Sequence, residues 1–141
     1  MNDIEFALQV ASNAHAGQVD KAGAPYILHV MRVASACDPT DTDSVVAALL
    51  HDTVEDSNLT VESIQKSFGP AVAEIVDSLT RQKEEDYPTY LRRLKLCSKA
   101  VVIKRFDLLD NLRFDRLSLL PENERTRLWR KYSDAFAELT P

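Results

Sequence analysis

Cysteine is scarce: Cys37 and Cys97 are the only two. Two thiols make no disulfide framework, so both are expected to be buried or idle in a reducing compartment. Basic charge is not in excess, with 17 Lys and Arg against 22 Asp and Glu and a formal net charge of −5. That balance excludes a general nucleic-acid binder, whose phosphate contacts need surplus cations, and any anionic ligand must find a local positive site. No apolar run approaches the roughly 18–20 residues that cross a bilayer. The opening Met1-Asn2-Asp3-Ile4-Glu5 is acidic where a secretory signal is basic. A soluble, cytoplasmic protein without membrane or nucleic-acid partners is therefore expected. Internal repeats, linkers and low-complexity tracts are also missing. The 141 residues fit one compact domain, 1–141, able to bury roughly 68–70% of its unfolded surface without staples.

With three glycines, six prolines and few β-branched alternations, the chain reads as all-α, and its punctuation marks the joints. Asn2 with Glu5 three residues later signals a capped start, followed by Ile4, Ala7, Leu8, Ala11, Ala14 and His15 at helical spacing up to Gly17. A loop from Gln18 to Ala24 leads to Pro25, which can occupy the first turn of a helix running to about Ala36. Asp41 to Asp43 can cap a third helix that ends near Asp56-Ser57-Asn58. Thr60 starts a fourth, with Leu59 and Ile64 as a hydrophobic staple, and Phe68-Gly69-Pro70 stops it and starts a fifth. Arg81 to Asp86 reads as a solvated loop, followed by helices over Pro88–Cys97, about Ala100–Phe114 and Pro121–Leu139. Trp129 and Phe136, seven apart, are expected as core contacts of the last helix.

His51-Asp52 follows the apolar run Ala47-Ala48-Leu49-Leu50, so the pair sits where a helix enters the core. A satisfied core pair is the ordinary reading of such residues. His29 lies on another inward-facing helix, however, and Asp107 is an acid inside Val101-Val102-Ile103-Lys104-Arg105-Phe106-Asp107-Leu108-Leu109. Buried acids and histidines need partners, and one divalent cation satisfies all four. Residues four apart share a helix face, which pairs His51 with Glu55, Asp52 with Asp56 and Asp107 with Asn111. Acids at a helix C-terminus oppose its dipole, so Glu55 and Asp56 are locally unfavourable, as functional groups often are.

These residues match the H…HD…D signature of the HD-domain metal phosphohydrolases. The flanking segments narrow the likeness. Ala14-His15-Ala16-Gly17-Gln18, Lys21-Ala22-Gly23-Ala24-Pro25-Tyr26-Ile27-Leu28-His29, His51-Asp52-Thr53-Val54-Glu55-Asp56 and Asp107-Leu108-Leu109-Asp110-Asn111-Leu112-Arg113 resemble the hydrolase domain of RelA/SpoT-type alarmone enzymes, and the chain is similar to the single-domain small alarmone hydrolases. The resemblance runs from about Ile4 to Leu139 and implies an all-α HD-domain helical bundle. It further implies that His29, His51, Asp52 and Asp107 hold one manganese ion per protomer, with iron or another divalent ion as alternatives. Glu55 and Asp56 would position and activate water. Asn111, Lys21, Lys83 and Tyr132 would meet substrate, although a solvated surface charge is an equal reading for either lysine. The implied reaction removes the 3′-diphosphate of guanosine tetra- or pentaphosphate, giving GDP or GTP and pyrophosphate.

One departure bears on the substrate. The family commonly carries a base-stacking arginine just before the lysine of the first loop, and Asp20 stands there. A carboxylate neither stacks nor attracts phosphate, which supports the alternative that the chain acts on another nucleotide, for example as an NADPH 2′-phosphatase. Phe106 and Leu108 also replace a small and a basic residue around Asp107. A binding module without turnover is disfavoured by the retention of Glu55 and Asp56, and a di-iron oxygenase by the presence of only three histidines. His15 reads as a core or supporting residue rather than a ligand. Arg92, Arg93, Lys95, Lys99, Lys104 and Arg105 read as a solvated helix face that could alternatively line a phosphate entrance.

Overall fold

The computed structural model describes residues 1–141 as ten helices without a strand: α1 (Asp3–Ala14), α2 (Tyr26–Ala36), α3 (Thr42–Leu50), α4 (Thr53–Asp56), α5 (Val61–Phe68), α6 (Pro70–Leu79), α7 (Tyr87–Leu94), α8 (Ser98–Asn111), α9 (Phe114–Leu117) and α10 (Glu122–Leu139). The capping signals act as the sequence suggests. Asn2 and Glu5 form a reciprocal capping box at α1, Asp41 accepts from the Ser44 amide at α3, and Thr60 forms a box with Ser63 at α5.

Helix α3 is the axis of the molecule. Every residue from Ser44 to Leu50 is buried, which requires apolar contact all round. Helices α1, α2 and α6 pack on it, and α8 bridges α2, α6 and α10. One cluster of 26 buried residues unites them, with Val30, Leu50, Leu94, Ile103 and Leu108 wholly inside. His29, on the buried side of α2, and Asp107, on that of α8, thereby face the C-terminal end of α3.

The structure departs from the sequence reading in four places. The third helix breaks at His51-Asp52, because the His51 ring takes the Ala48 carbonyl at 2.6 Å and the Thr53 hydroxyl that of Leu50 at 2.8 Å; α4 then starts afresh. The eighth helix ends at Asn111 instead of Phe114, and the short α9 follows separately. Trp129 is not a core residue but 57% exposed, whereas Phe136 does pack on the core. The Arg81–Asp86 segment is not simply solvated: the Glu85 carboxylate, 8% exposed, is clamped by Arg93 at 2.8 Å.

The joint between α5 and α6 turns on Gly69, at φ 95° and ψ 170°, a region closed to side chains. A Cβ there meets nothing within 4 Å, so the cost of adding one is confined to the backbone. Gly69→Ala is expected to lower stability by about 1–3 kcal/mol, read as a lower urea midpoint with an unchanged slope.

Candidate functional site

Four side chains converge at the broken end of α3. One potential ligand atom from each of His29, His51, Asp52 and Asp107 lies within 4.8 Å of all the others. His29 Nε2 is 2.9 Å from Asp107 Oδ1, and His51 Nε2 is 2.9 Å from Asp52 Oδ2 and 3.4 Å from Asp107 Oδ1. Both imidazoles and Asp107 are buried.

The outer nitrogens fix the tautomers. His51 Nδ1–H donates to the Ala48 carbonyl at 2.6 Å, and His29 Nδ1–H to Asp110 Oδ2 at 2.6 Å. In each neutral ring the Nε2 lone pair therefore points into the cluster. His51 Nε2 is buried without a properly directed hydrogen bond, a state that costs about 1–3 kcal/mol unless something answers it. Two imidazole nitrogens and two carboxylates directed at one point fit a first-row divalent cation.

The electrostatics show the same demand. Burial disfavours the charged forms of both histidines, but the Asp107 and Asp110 bonds of His29 and the Asp52 and Asp107 charges around His51 outweigh it and raise both pKa values. Burial likewise favours a neutral Asp107, yet Lys104 and the two histidines hold it well below the carboxylate range. Lys104 is the exception in the basic run around it: its side chain is only 16% exposed, and its ammonium reaches Asp107 Oδ2 at 2.8 Å. Arg93, Lys95 and Lys99 instead pair with Glu85, Glu138 and Asp41, away from the cluster.

Glu55 and Asp56, consecutive on α4, are held by different partners. Glu55 Oε1 accepts the Arg81 N–H at 2.5 Å, while Asp56 Oδ2 accepts from Gln18 Nε2 at 3.1 Å and lies 3.9 Å from His15. His15 is buried, with Nδ1 2.8 Å from Gln18 Oε1 and its ring 4.9 Å from that of Tyr26. The Tyr26 hydroxyl in turn donates to Asp52.

A cavity of about 230 Å³ opens beside the cluster, lined by Lys21, Tyr26, Asn111, Arg116 and Tyr132 above apolar Leu117, Leu120 and Leu128. Three of the four expected substrate residues are thus brought together. Lys83 is not: it lines a separate groove on the far side of Glu55, together with Arg81. Asn111 sits four residues beyond Asp107, its amide 3.4 Å from Asp107 Oδ1 and its carbonyl accepting from Arg116 at 3.2 Å.

Asp20 needs a different account from the one its sequence position suggests. Its carboxylate, 4% exposed, accepts the Ala22 and Ala24 amides at 2.9 and 3.0 Å and pairs with Arg116 at 3.2 Å. The negative charge is spent on folding the loop, and Arg116 brings a guanidinium into the wall beside it.

Two residues escaped the sequence reading. Asp110, buried on α8, accepts from His29, from Arg32 at 2.6 Å and from Arg116 at 2.7 Å. Burial raises its pKa, but these partners outweigh that and hold the carboxyl far below its usual range. Arg116 thereby ties the Asp20 loop to the carboxylate that orients His29. The available signal was a second acid three residues after Asp107 in the same buried helix.

Asp110→Ala is expected to weaken divalent-ion affinity by roughly 10–100-fold, measured by metal titration, with the helical circular dichroism retained. Asp20→Arg removes two loop bonds and sets two guanidiniums together. It should cost about 2–4 kcal/mol of stability in a denaturant titration, and an unchanged midpoint would show that the loop does not depend on this carboxylate.

Comparison with known proteins fits this geometry. The sequence pattern described as "HD domain" matches residues 7–140. The chain is 32% identical, over 97% of its length, to a guanosine-3′,5′-bis(diphosphate) 3′-pyrophosphohydrolase of Aquifex aeolicus, and 33% identical, over 96%, to a probable GTP pyrophosphokinase of Mycobacterium leprae. It spans only about a fifth of those relatives, 21% and 18% of their lengths. Among solved structures it superposes with a TM-score of 0.80 and 29% identity on a metazoan ortholog of SpoT described as hydrolyzing ppGpp and playing a role in starvation responses, covering 99% of this chain and 85% of that one. The paired histidines and aspartates at the end of α3, and a pattern that matches nearly the whole chain, show that the protein belongs to the HD-domain family.

Proposed function

We propose that the chain is a manganese-dependent pyrophosphohydrolase that removes the 3′-diphosphate of guanosine tetra- or pentaphosphate. The observation that carries the reading is the convergence of His29, His51, Asp52 and Asp107 within 4.8 Å. Those four residues would hold one manganese ion per protomer, iron being the next choice for a mixed nitrogen and oxygen set. When bound, a divalent ion supplies Lewis acidity toward a phosphoryl oxygen.

The chain's own residues do the rest. Glu55 takes the proton of the attacking water: burial raises its pKa, which strengthens it as a base. Only one of its oxygens is engaged, by the Arg81 N–H. Asp56, steadied by Gln18, orients the water. Asn111, fixed between Asp107 and Arg116, holds the sugar-phosphate against the cluster, and Tyr132 closes the cavity wall. Lys21, 3.8 Å from Glu124 and with its side chain 55% exposed, meets phosphate at the cavity edge. Lys83 would reach it from the outer groove.

A hydrolase is favoured over a pyrophosphokinase because the structural relative, of which the chain covers 85%, is described as hydrolyzing ppGpp. The NADPH alternative rests on Asp20 standing where the family has its base-stacking arginine; that carboxylate is engaged by Arg116 and the loop amides, and the pyrophosphohydrolase reading is favoured by the structural relative. No helix is long and apolar enough to cross a membrane, in keeping with a cytoplasmic enzyme acting on a small nucleotide.

In a manganese-supplemented assay, guanosine tetraphosphate should yield GDP and pyrophosphate, whereas inorganic phosphate from NADPH without alarmone turnover would overturn the reading. Asp107→Ala should lose both metal and activity. Glu55→Gln should keep the metal and lower kcat by about 10²–10⁴-fold, and an undiminished rate would return Glu55 to a purely structural role.

A further inference from the structure

Two cations from distant parts of the chain meet on one aromatic ring outside the cavity. Arg81, in the segment after α6, places its guanidinium carbon 5.4 Å from the centroid of Tyr87, and Lys131, midway along α10, places Nζ 4.8 Å from the same centroid. The Tyr87 ring lies 5.8 Å from that of Tyr90, which carries Lys104 Nζ 5.6 Å from its centroid. That ammonium touches Asp107 at 2.8 Å. Two rings therefore separate the Arg81 and Lys131 charges from the metal cluster. The Arg81 amide also holds Glu55, and Lys131 stands 6.0 Å from the centroid of Tyr132 in the cavity wall.

The local charges do not balance. Lys104 is answered by Asp107, and Lys21 and Arg127 share Glu124 at 3.8 and 4.0 Å. The nearby Glu85 carboxylate is taken by Arg93. Arg81 Nε donates to the Glu85 carbonyl at 2.9 Å, but neither Arg81 nor Lys131 has a carboxylate within salt-bridge distance, although acids outnumber bases in the chain. Burial lowers the Lys131 pKa, and the charges of Arg81, Lys104, Lys21 and Arg127 lower it further. Cation–ring contact returns only about 0.5–1 kcal/mol at an exposed site, and the Glu85 carbonyl leaves the charge of Arg81 without a counter-ion. A bound anion would satisfy both cations and relieve their repulsion.

We propose that Arg81 and Lys131, set against Tyr87, form a seat for a phosphate or diphosphate group, distinct from the His29, His51, Asp52 and Asp107 cluster. The source of that group rests on the nucleotide pyrophosphohydrolase reading: either the substrate's phosphates or the departing pyrophosphate occupies the seat. Both side chains are exposed, so the seat is open to ligand and their substitution leaves the core intact.

The test is calorimetric titration of the purified, manganese-supplemented chain with methylene diphosphonate. Lys131→Gln should raise its Kd roughly tenfold, the equivalent of one charge-assisted contact. Arg81→Gln combined with Lys131→Gln should raise it further, and Lys131→Arg should restore it. Lys66→Gln, an exposed residue on α5, should change nothing. A KM for guanosine tetraphosphate that rises in step places substrate phosphate in the seat, and a rise confined to diphosphonate binding places product there; both support the proposal. An unchanged Kd in the double variant overturns it even if the alarmone is hydrolysed. Diphosphonate binding that depends on Lys131 in a protein without alarmone turnover would overturn the proposed reaction and leave the seat standing.

Discussion

Burying two imidazoles and two carboxylates at one point is the constraint on which the rest of the structure depends. Each group loses water that an apolar interior cannot replace, so each is answered from outside the cluster by a specific partner. The Ala48 carbonyl fixes His51, Asp110 fixes His29, Lys104 compensates Asp107 and Tyr26 bonds Asp52. Those partners come from α3, α8 and α2, which must therefore meet in one register. The fully buried α3 is what makes them meet, because its apolar surface leaves its neighbours no polar route around it.

Charge is layered outward from that point. Acids lie innermost, and arginines and lysines that neutralise them, Lys104, Arg32 and Arg116, stand around them. Arg116 belongs to this second layer and joins two carboxylates from distant parts of the chain, Asp20 and Asp110. Breaking one partner of such a buried set leaves the others uncompensated, so the cavity wall and the His29 support stand or fall together. The layering also lets a protein of net charge −5 present a positive rim to an anionic ligand, as local fields rather than net charge decide what a cleft attracts.

Much of this was legible in the chain itself. The caps at Asn2, Asp41 and Thr60 and the Gly69-Pro70 joint announced their helices because capping is local chemistry. The four-residue cluster was legible because buried His and Asp stand out against apolar neighbours. The break at His51-Asp52 was not, since it arises from side chains competing for the Ala48 and Leu50 carbonyls, which periodicity does not register. Lys104 was hidden in a basic run, and only the packing of α8 shows that it is the member that reaches Asp107. Asp20 shows the same limit: the sequence marks it as a departure from the family pattern, but the bonds that tie it to its loop appear only in the fold.

The central claim is that the cluster at the end of α3 is built around one divalent ion. Anomalous diffraction from manganese-soaked crystals, recorded on both sides of the manganese absorption edge, tests it most directly. The account predicts one edge-dependent peak per chain, bonded to His29 Nε2, His51 Nε2 and carboxylate oxygens of Asp52 and Asp107. A cluster without a peak, its histidines bonded only to the carboxylates, or a peak held by other residues, would contradict it.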